Sequence, residues 1–378
     1  SLINLYPSLL DLVPQDDVDL TRVLSDSQQD DLLNANSHAL LRLQSWMDTR
    51  IGTTAELDPQ LKLGSPLDGQ DGINKTFVLD NFTNQINWHP SGTHLLVSAV
   101  NSGKNIHIYS FDSEKNRFSL VTDFAAVIGT NALSAKWSPG GKNIAGAIHA
   151  TNGAGAEATC MSFDGDRITE LEGCRFEVNG STRDVAWSPG GQFFAPTGGD
   201  TYSYILNFDG ATFADTGAIS SAVHSRSGVW SPDGKYFAIG GVNGSDKPVI
   251  VYSWENGQLN FLDEYTLTSC WNCQSISWSP DGKYLAASPY TGSTALIIFK
   301  FDGSKLSLIR SVLDVESPGF TSAESFDWSA DGKYLFVGFK TDSENWTSGI
   351  LKVFSINNDS AEELKYLEKS LSGGAATV

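Results

Sequence analysis

The amino-acid sequence predicts an all-β fold, a six-bladed β-propeller preceded by a partly helical N-terminal extension. Two repeated patterns lead to this prediction: a tryptophan motif that recurs six times, and a second hairpin signal that accompanies each copy. The composition agrees with it. The chain of 378 residues contains 36 glycines and only 18% charged residues, which fits many tight turns between short strands better than long solvated helices.

Each copy of the tryptophan motif consists of a tryptophan, a polar turn and a short apolar run, as in VWSPDGKYFAI and SWSPDGKYLAA. Successive tryptophans are separated by 49, 50, 43, 48 and 50 residues. A fixed period of this size is typical of a repeat architecture. The six tryptophans are Trp88, Trp137, Trp187, Trp230, Trp278 and Trp328.

The S-P-D-G segment of the motif has the chemistry of a tight turn. Proline presets φ at the first turn position, aspartate bonds backbone groups two residues on, and glycine accepts a positive φ. Gly140 and Gly190 replace the aspartate in two copies, and Ala330 replaces the proline in the last. We interpret these replacements as variations in turn chemistry and not as losses of a functional acid.

A second turn in each copy separates two further apolar runs, as in YSYILNFDGATFA and LIIFKFDGSKLSLI. Apolar runs joined by Asp-Gly or Asn-Gly are the strongest short-range hairpin signal. Each unit is therefore predicted to contain four strands. A four-stranded blade cannot bury both of its faces alone, so the six blades are expected to stack around an axis.

The repeated W-S-P-D-G-K-x-L-A core resembles that of the WD-repeat-like propeller family typified by the propeller domain of TolB. The resemblance extends from about Asn84 to Glu368. It implies the propeller fold and, among roles, an adaptor in an envelope complex. It does not select an activity, because propellers host adaptors, hydrolases, lactonases and structural proteins.

Three regions are predicted: an N-terminal extension over residues 1–75, the propeller over 76–370 and a tail over 371–378. In the extension, Ser25 or Asp26 could cap an amphipathic helix that runs to about Met47. This helix would pack across the base of the propeller or dock on a neighbouring subunit. Residues 76–82 resemble the strand that precedes each tryptophan motif, and residues 363–369 could supply the last outer strand, so that one would close the ring against the other. A seventh blade is expected only if residues 52–74 form a degenerate repeat.

The formal net charge of -19 disfavours nucleic acid and anionic lipid as partners. No stretch approaches the roughly 18 apolar residues that a membrane-spanning helix needs. The chain starts at Ser1 without a basic leader region, so either a signal peptide has been removed or the chain was trimmed.

Four cysteines permit three pairings, of which the local one joins Cys160 with Cys174 and Cys270 with Cys273. We expect structural disulfides, because the C-W-N-C run lacks the βαβ setting of a redox motif. Together with six N-x-S/T sequons, the cysteines favour a secreted glycoprotein in an extracellular or periplasmic location. The sequons begin at Asn74, Asn81, Asn179, Asn243, Asn345 and Asn358.

The motifs of common enzyme classes are missing from the sequence, which contains no G-x-S-x-G elbow, H-E-x-x-H, P-loop or dinucleotide fingerprint. We expect no cofactor and no metal. His89 and His94 bracket a turn, where they are interpreted as replacements of the repeat's Ser and Lys. Lactonase-like propellers use the central channel, and there the strand-opening residues mix two arginines with acids and neutral groups. The candidates for a small-ligand site at this channel mouth are Arg183, Asp184, Arg226 and Glu324.

These observations favour a secreted, non-catalytic propeller that acts as an interaction scaffold or as a self-assembling structural subunit. Its expected partners are proteins, with a homo-oligomer formed through the N-terminal extension. The alternatives are a TolB-like envelope adaptor and a propeller enzyme of lactonase or hydrolase type with a central-channel site.

Overall fold

The structure is a computed structural model of the whole chain, and its description covers the strands and their tight turns. The N-terminal extension, all six sequons, Cys270 and residues 76–82 lie outside the described residues. The described residues are 83–99, 104–112, 117–124, 131–149, 156–178, 182–198, 203–219, 226–241, 249–267, 272–290, 294–313, 322–340, 348–357, 360–363 and 369–372.

The first three sheets follow one another along the chain. Sheet 1 contains β1 (Thr83–Trp88), β2 (His94–Ala99), β3 (Ile106–Asp112) and β4 (Arg117–Phe124). Sheet 2 contains β5 (Asn131–Trp137), β6 (Asn143–His149), β7 (Ala156–Phe163) and β8 (Ile168–Val178). Sheet 3 contains β9 (Thr182–Trp187), β10 (Phe193–Gly198), β11 (Tyr204–Phe208) and β12 (Phe213–Ile219).

The last three sheets repeat the pattern. Sheet 4 contains β13 (Ser227–Trp230), β14 (Tyr236–Gly240), β15 (Val249–Glu255) and β16 (Gln258–Tyr265). Sheet 5 contains β17 (Asn272–Trp278), β18 (Tyr284–Tyr290), β19 (Thr294–Phe301) and β20 (Leu306–Leu313). Sheet 6 contains β21 (Ser322–Trp328), β22 (Tyr334–Lys340), β23 (Ser348–Asn357) and β24 (Ser360–Glu363), and β25 (Lys369–Ser372) also pairs with β23.

All six sheets are antiparallel meanders, in which the first four strands pair in chain order, and only β25 departs from that order by pairing with β23. In every sheet the repeat tryptophan ends the first strand, and the S-P-D-G segment or its variant forms the turn to the second. The predicted fold class and the predicted four strands per unit are therefore confirmed: the described residues form the six blades of a β-propeller. No helix in the described part of the chain is long and apolar enough to cross a membrane.

The turn in sheet 4 shows why the motif folds as it does. The Ser231 hydroxyl donates to Asp233 Oδ1 at 2.6 Å and accepts from the backbone N of Tyr236 at 2.9 Å. Asp233 Oδ1 also accepts from the backbone N of Lys235 at 3.1 Å. Partial burial opposes ionisation of Asp233, but the hydrogen bonds from Ser231 and the Lys235 backbone, together with the Lys235 ammonium, outweigh it and lower the pKa of the carboxyl. The side chains thus satisfy backbone groups that the sharp turn leaves open.

Among the described residues, each pair of consecutive sheets shares a large apolar cluster, and sheets 2 and 3 share a second, smaller one that contains Cys160, Cys174 and Phe208. Between sheets 1 and 2, for example, Leu96 and Ile108 pack with Trp137. The same arrangement joins sheets 2 and 3, 3 and 4, 4 and 5, and 5 and 6. The core is therefore divided into layers between blades, as expected for a repeat protein whose units bury their faces against neighbours.

The cysteines differ from the predicted disulfide pattern. Cys160 on β7 and Cys174 on β8 are buried free thiols in contact with each other, so the predicted bond between them is not formed. Instead, the Cys174 thiol points toward sheet 3 and donates to the carbonyl of Ala211 at 3.2 Å. Cys273 is also buried, and its thiol donates to the carbonyl of Ser275 at 3.1 Å, whereas its predicted partner Cys270 lies outside the described residues.

Candidate functional site

The first strand of each sheet lies at the centre of the molecule. Among the described residues, β1 contacts β5, β5 contacts β9, β9 contacts β13, β13 contacts β17 and β17 contacts β21. These strands therefore surround the propeller axis, and their polar side chains are the candidates for a central site.

A hydrogen-bonded row crosses the first strands of sheets 1, 2 and 3. The Ser134 hydroxyl lies 2.6 Å from Gln85 Oε1 and 2.7 Å from Asp184 Oδ1. A hydroxyl has a single proton, so it cannot donate to both oxygens. If Ser134 donates to the carboxylate, both contacts are satisfied when the Gln85 amide is turned to present its nitrogen, an orientation that the hydrogen-bond network must decide.

Asp184 is also held by a cation. Its carboxylate accepts from Lys136 Nζ, at 2.8 Å to Oδ1 and 3.0 Å to Oδ2, and from its neighbour's backbone N, that of Val185, at 2.8 Å. The two side chains of the ion pair are only 26% and 16% exposed, so water screens the pair less than it would at an open surface. Asp184 is thus engaged by Ser134, Lys136 and Val185 at once.

The other predicted residues occupy different places in this central region. Arg226 Nη1 donates to Gln274 Oε1 at 2.8 Å, which joins sheet 4 to sheet 5. Arg183 is exposed and lies at a register shift between β9 and β10. Glu324 lies in β21 at a register shift between Ala323 and Ser325, and its side chain is outside the described part of the structure.

Lys136 was missed by the sequence reasoning, although a signal for it exists. It immediately precedes Trp137, whereas Ser134 stands three residues before the same tryptophan. Residues two apart in a strand point to the same side, so the pair could have been grouped by parity. The contact between Lys136 and Asp184 on the next sheet, by contrast, follows only from the packing of two blades.

The two turn histidines of sheet 1 belong to the inter-blade packing. His89 Nδ1 accepts from the backbone N of Ser91 at 3.1 Å, so Nε2 carries the proton and donates to the carbonyl of Gly141 at 3.1 Å. His94 takes the place that Tyr236 has in sheet 4, and not the place of a lysine as expected. Burial and then the neighbouring His89 lower the pKa of His94. Within the described residues, no three His, Cys, Asp or Glu side chains gather as a metal site requires.

The outer strands carry a second candidate surface. Leu120, Phe261 and Leu308 are 51%, 57% and 47% exposed. Each stands opposite the third-strand residue that follows a register shift, at which the outer strand has one extra residue. At this same position the other three sheets have acidic residues, namely Glu170, Asp215 and Glu363.

The acidic residues at this position have local partners. Glu170 pairs with Arg175 at 3.1 Å, and Glu363 pairs with Lys352 at 3.1 Å. Asp215 accepts from the backbone N of Gly217 at 2.8 Å. The fold therefore accepts an ionised side chain at this position and does not require an apolar one.

Sheets 4 and 5 carry two of the exposed apolar residues on adjacent outer strands. A hydrogen bond of 2.7 Å from the backbone N of Leu306 to Asp263 Oδ2 ties β20 to β16. Phe261 and Leu308 each lie two residues along their own strand from this contact, on the outer strands of consecutive sheets. We call the stretch formed by Phe261, Asp263, Leu306 and Leu308 the outer-wall patch.

Comparison by sequence gives a partial match. The family model of eukaryotic translation initiation factor eIF2A matches residues 161–310. Among curated proteins, no sequence matches the chain.

Comparison by structure gives many matches at low sequence identity. The periplasmic gluconolactonase PpgL of Pseudomonas aeruginosa has a TM-score of 0.62 at 16% identity, with 78% of this chain and 86% of that chain covered. The β-propeller domain of Cps50 (Swd1) from Myceliophteria thermophila has a TM-score of 0.59 at 12% identity, with coverage of 79% and 88%. Hydrazine synthase of Kuenenia stuttgartiensis has a TM-score of 0.56 at 15% identity, with coverage of 71% and 76%.

At this identity the likeness to these structures extends to the fold alone. The chain is accordingly a β-propeller protein, in agreement with its six antiparallel four-stranded blades.

Proposed function

We propose that this protein is a non-catalytic propeller that binds other proteins and associates with copies of itself. The observation that carries the proposal is the outer-wall patch, where Phe261 and Leu308 are 57% and 47% exposed on consecutive blades. Since sheets 2, 3 and 6 accommodate acids at the same position, packing within the blade does not explain these apolar side chains. Apolar groups that are grouped at a surface mark interaction sites more often than scattered ones do.

The central strands support the same proposal. A general acid or base must be able to reach the substrate's proton, whereas Asp184 already accepts hydrogen bonds from Ser134 and Lys136. Arg226 is hydrogen-bonded to Gln274. These side chains connect neighbouring blades, which is a structural role.

The partner segment in this proposal is the N-terminal extension of a second copy, specifically residues 1–50. Its apolar start, SLINLYPSLLDLV, supplies side chains that could cover the exposed parts of Phe261 and Leu308. Burial of such groups on association is favourable by about 25 cal/mol per Å² before the entropic costs of binding. We also propose an extracellular or periplasmic location, on the basis of the six sequons.

Light scattering on four proteins tests the proposal: the full chain, the chain without residues 1–50, the double variant Phe261→Glu with Leu308→Glu, and Leu120→Glu. Glutamate is the residue that sheets 2 and 6 carry at this position, so the variants should fold. We expect an oligomer for the full chain and for Leu120→Glu, and a monomer for the deletion and the double variant. A monomeric full chain, or an oligomer that survives the deletion, would refute self-association through residues 1–50.

An enzymatic alternative is hydrolysis of a sugar lactone at the central strands, suggested by the fold that the chain shares with a gluconolactonase. In this alternative Asp184 would act on substrate after release from Lys136. An assay of gluconolactone hydrolysis with the full chain and with Asp184→Asn distinguishes this alternative from the non-catalytic role. Hydrolysis by the full chain that is lost in Asp184→Asn would favour the enzymatic alternative, and any other result would not. A TolB-like adaptor role rests on the W-S-P-D-G core, and in that role the partner would be an envelope protein in place of a second copy.

A further inference from the structure

The turns of sheets 2 and 3 lack a carboxylate that the turns of sheets 4, 5 and 6 contain. Gly140 and Gly190 occupy the place that aspartate has in the three later sheets. Among the described residues, no atom beyond the chain neighbours lies within 4 Å of the position that a Cβ would take at either glycine, and both glycines are exposed. The place where the aspartate side chain begins is therefore open to solvent in sheets 2 and 3. The three aspartates are Asp233, Asp281 and Asp331.

In sheets 4, 5 and 6 the carboxylate binds the same set of donors each time. One oxygen accepts from the hydroxyl of the turn serine at 2.6–2.7 Å and from the backbone N of the turn lysine at 3.0–3.1 Å. The other oxygen lies 2.9–3.6 Å from Nζ of that lysine. The turn thus contains a carboxylate-binding arrangement that the chain uses three times. The donors are Ser231 with Lys235, Ser279 with Lys283, and Ser329 with Lys333.

The turns without aspartate keep the same backbone. The backbone N of Gly141 donates to the carbonyl of Ser138 at 2.8 Å, and Ser138 Oγ accepts from the backbone N of Asn143 at 3.1 Å. The equivalent hydrogen bonds of Ser188 in sheet 3 measure 2.8 and 2.9 Å. The φ of Gly141 is 72°, against 71° for Gly234 in sheet 4. The serine hydroxyl and the backbone N–H therefore keep their places when the carboxylate is replaced by glycine.

These donors have no acceptor in sheets 2 and 3. Ser138 and Ser188 are only 6% and 5% exposed, and none of the described residues accepts the proton of either hydroxyl. The same is true of the backbone N–H groups of Lys142 and Gln192 within the described part of the chain. The Lys142 ammonium also forms no ion pair with the described residues, whereas Lys235 pairs with the aspartate of its own turn. A shielded hydroxyl without an acceptor is unfavourable, so an added carboxylate oxygen would satisfy an existing need.

We propose that the turns of sheets 2 and 3 bind two carboxylates of one acidic segment of a partner protein. In sheet 2 the carboxylate accepts from the Ser138 hydroxyl and the backbone N of Lys142, beside the Lys142 ammonium. In sheet 3 it accepts from the Ser188 hydroxyl and the backbone N of Gln192. Hydrogen bonds to a charged acceptor are stronger than those between neutral groups. The proposal does not rest on the proposed function, which uses the outer-wall patch and residues 1–50.

One segment can reach both turns because the turns touch. A Cβ on Gly191 in sheet 3 would be 3.5 Å from Cδ of Pro139 in sheet 2. Alternate side chains of an extended peptide point to the same side and stand about 7 Å apart, and those four residues apart stand about 13 Å apart. These spacings bracket the separation of about 10 Å between packed sheets. A segment with acids at alternate positions therefore fits the pair of turns.

Fluorescence anisotropy of a labelled peptide tests the proposal on the full chain. The probe is acetyl-Asp-Ala-Asp-Ala-Asp-amide, and its matched control has asparagine in place of each aspartate. We expect the aspartate peptide to bind and the asparagine peptide not to bind. Acetate should displace the probe only at concentrations at least about tenfold above the peptide's Kd, because acetate fills one turn at a time. Equal binding of the two peptides, or acetate as effective as the peptide, would overturn the proposal.

Substitutions at the two glycines locate the peptide. Gly140→Asn and Gly190→Asn place a neutral oxygen where the aspartates of sheets 4, 5 and 6 lie, so each should weaken binding by about tenfold. Gly140→Ala and Gly190→Ala, the matched controls, leave the donors available and should bind as the parent does. Gly140→Asp should act like Gly140→Asn. Weakening by aspartate alone would show general charge repulsion and would refute recognition by the turn. Melting temperatures confirm that each variant is folded.

A last variant keeps this proposal separate from self-association. Phe261→Glu with Leu308→Glu changes the outer-wall patch and leaves both turns intact. We expect it to bind the aspartate peptide as the parent does, whatever its oligomeric state. Loss of peptide binding in this variant would place the peptide on the outer wall and contradict the assignment to the turns.

Discussion

Gly234, in the turn of sheet 4, lies against Pro189 in the turn of sheet 3, so that a Cβ on Gly234 would be 3.6 Å from the Cδ of Pro189. The same relationship recurs around the ring. Gly191 lies on Pro139, Gly282 on Pro232 and Gly332 on Pro280, at 3.5, 3.6 and 3.6 Å. Between sheets 1 and 2, the imidazole of His89 takes the place of the proline against Gly141. The turns therefore form a second layer of contacts between blades, separate from the apolar clusters.

Gly234→Ala tests what the turn requires. A distance of 3.6 Å is an ordinary van der Waals contact, so space is available, but the φ of 71° is left-handed. An L side chain in that region costs about 1–2 kcal/mol. We expect Gly234→Ala to lower the free energy of unfolding by about 1 kcal/mol in urea titration, and Gly234→Asn by less. An alanine variant as stable as the parent would show that the turn relaxes out of the left-handed region.

Gly190→Asp should act in the opposite direction. Nothing lies within 4 Å of a Cβ at Gly190, which occupies the place that Asp233 has in sheet 4. The new carboxylate could accept from Ser188 and from the backbone N of Gln192, as Asp233 does in its own turn. Loss of glycine also reduces the entropy of the unfolded chain, so we expect a gain of about 0.5–1 kcal/mol in unfolding free energy.

Gly190→Ala is the matched control for that gain. It removes the same backbone freedom without supplying a carboxylate. If alanine stabilises as much as aspartate does, the hydrogen bonds of the turn contribute nothing measurable.

The stability of the propeller should fall on acidification below neutral pH. Burial is the main cause that lowers the pKa of both His94 and His107 from the ordinary 6.5. The unfolded chain then binds protons at a higher pH than the folded chain does. The contribution of these two histidines to the free energy of unfolding is fully present above about pH 6.5. It is lost as the pH falls from there through their lowered pKa values.

His94→Tyr isolates one of the two histidines, because tyrosine is the residue at this position in sheet 4. Melting temperatures measured between pH 5 and 8 should show a smaller decrease for this variant than for the parent. The pH dependence of the melting temperature that remains in this variant should come partly from His107. A variant with the parent's slope would mean that His94 titrates alike in the folded and unfolded chains.

Cys160 should be chemically inert in the folded protein. Burial, and then the hydrogen bond and charge of Cys174, raise the pKa of its thiol well above the usual value, and the thiolate is the reactive species. We expect native protein at pH 8 to leave Cys160 unmodified by iodoacetamide while protein in guanidinium is alkylated there. Peptide mass spectrometry without reductant is the measurement. Rapid native alkylation, or a mass 2 Da lower across the Cys160 and Cys174 peptides, would contradict it.

The blades could be predicted because their signals are local. A turn such as Ser231 to Tyr236 is stabilised by groups within five residues of each other, so the same chemistry is visible in the chain and in the fold. The repeat period then specifies how many such units exist.

The central and thiol sites could not be predicted as well, because they depend on how neighbouring sheets are set against each other. Asp184 contacts Lys136, which lies about one repeat away in the chain on the neighbouring sheet. No local sequence pattern shows how these two sheets are aligned with each other. Glu324 was chosen as a strand-opening residue, yet register shifts displace that part of the strand from regular pairing. Cys160 and Cys174 were paired by their proximity in sequence, whereas the Cys174 thiol instead bonds to the next blade.

The division of the core into clusters that each span only two blades has a mechanical consequence. A pulling force applied to the C-terminal end would load the interface between sheets 5 and 6 first, while the remaining interfaces stayed closed. Each repeat of 43–50 residues would then release about 150–170 Å of contour length. In an optical trap the molecule should extend in a series of nearly equal steps, because the rupture of one interface between sheets leaves the next interface intact.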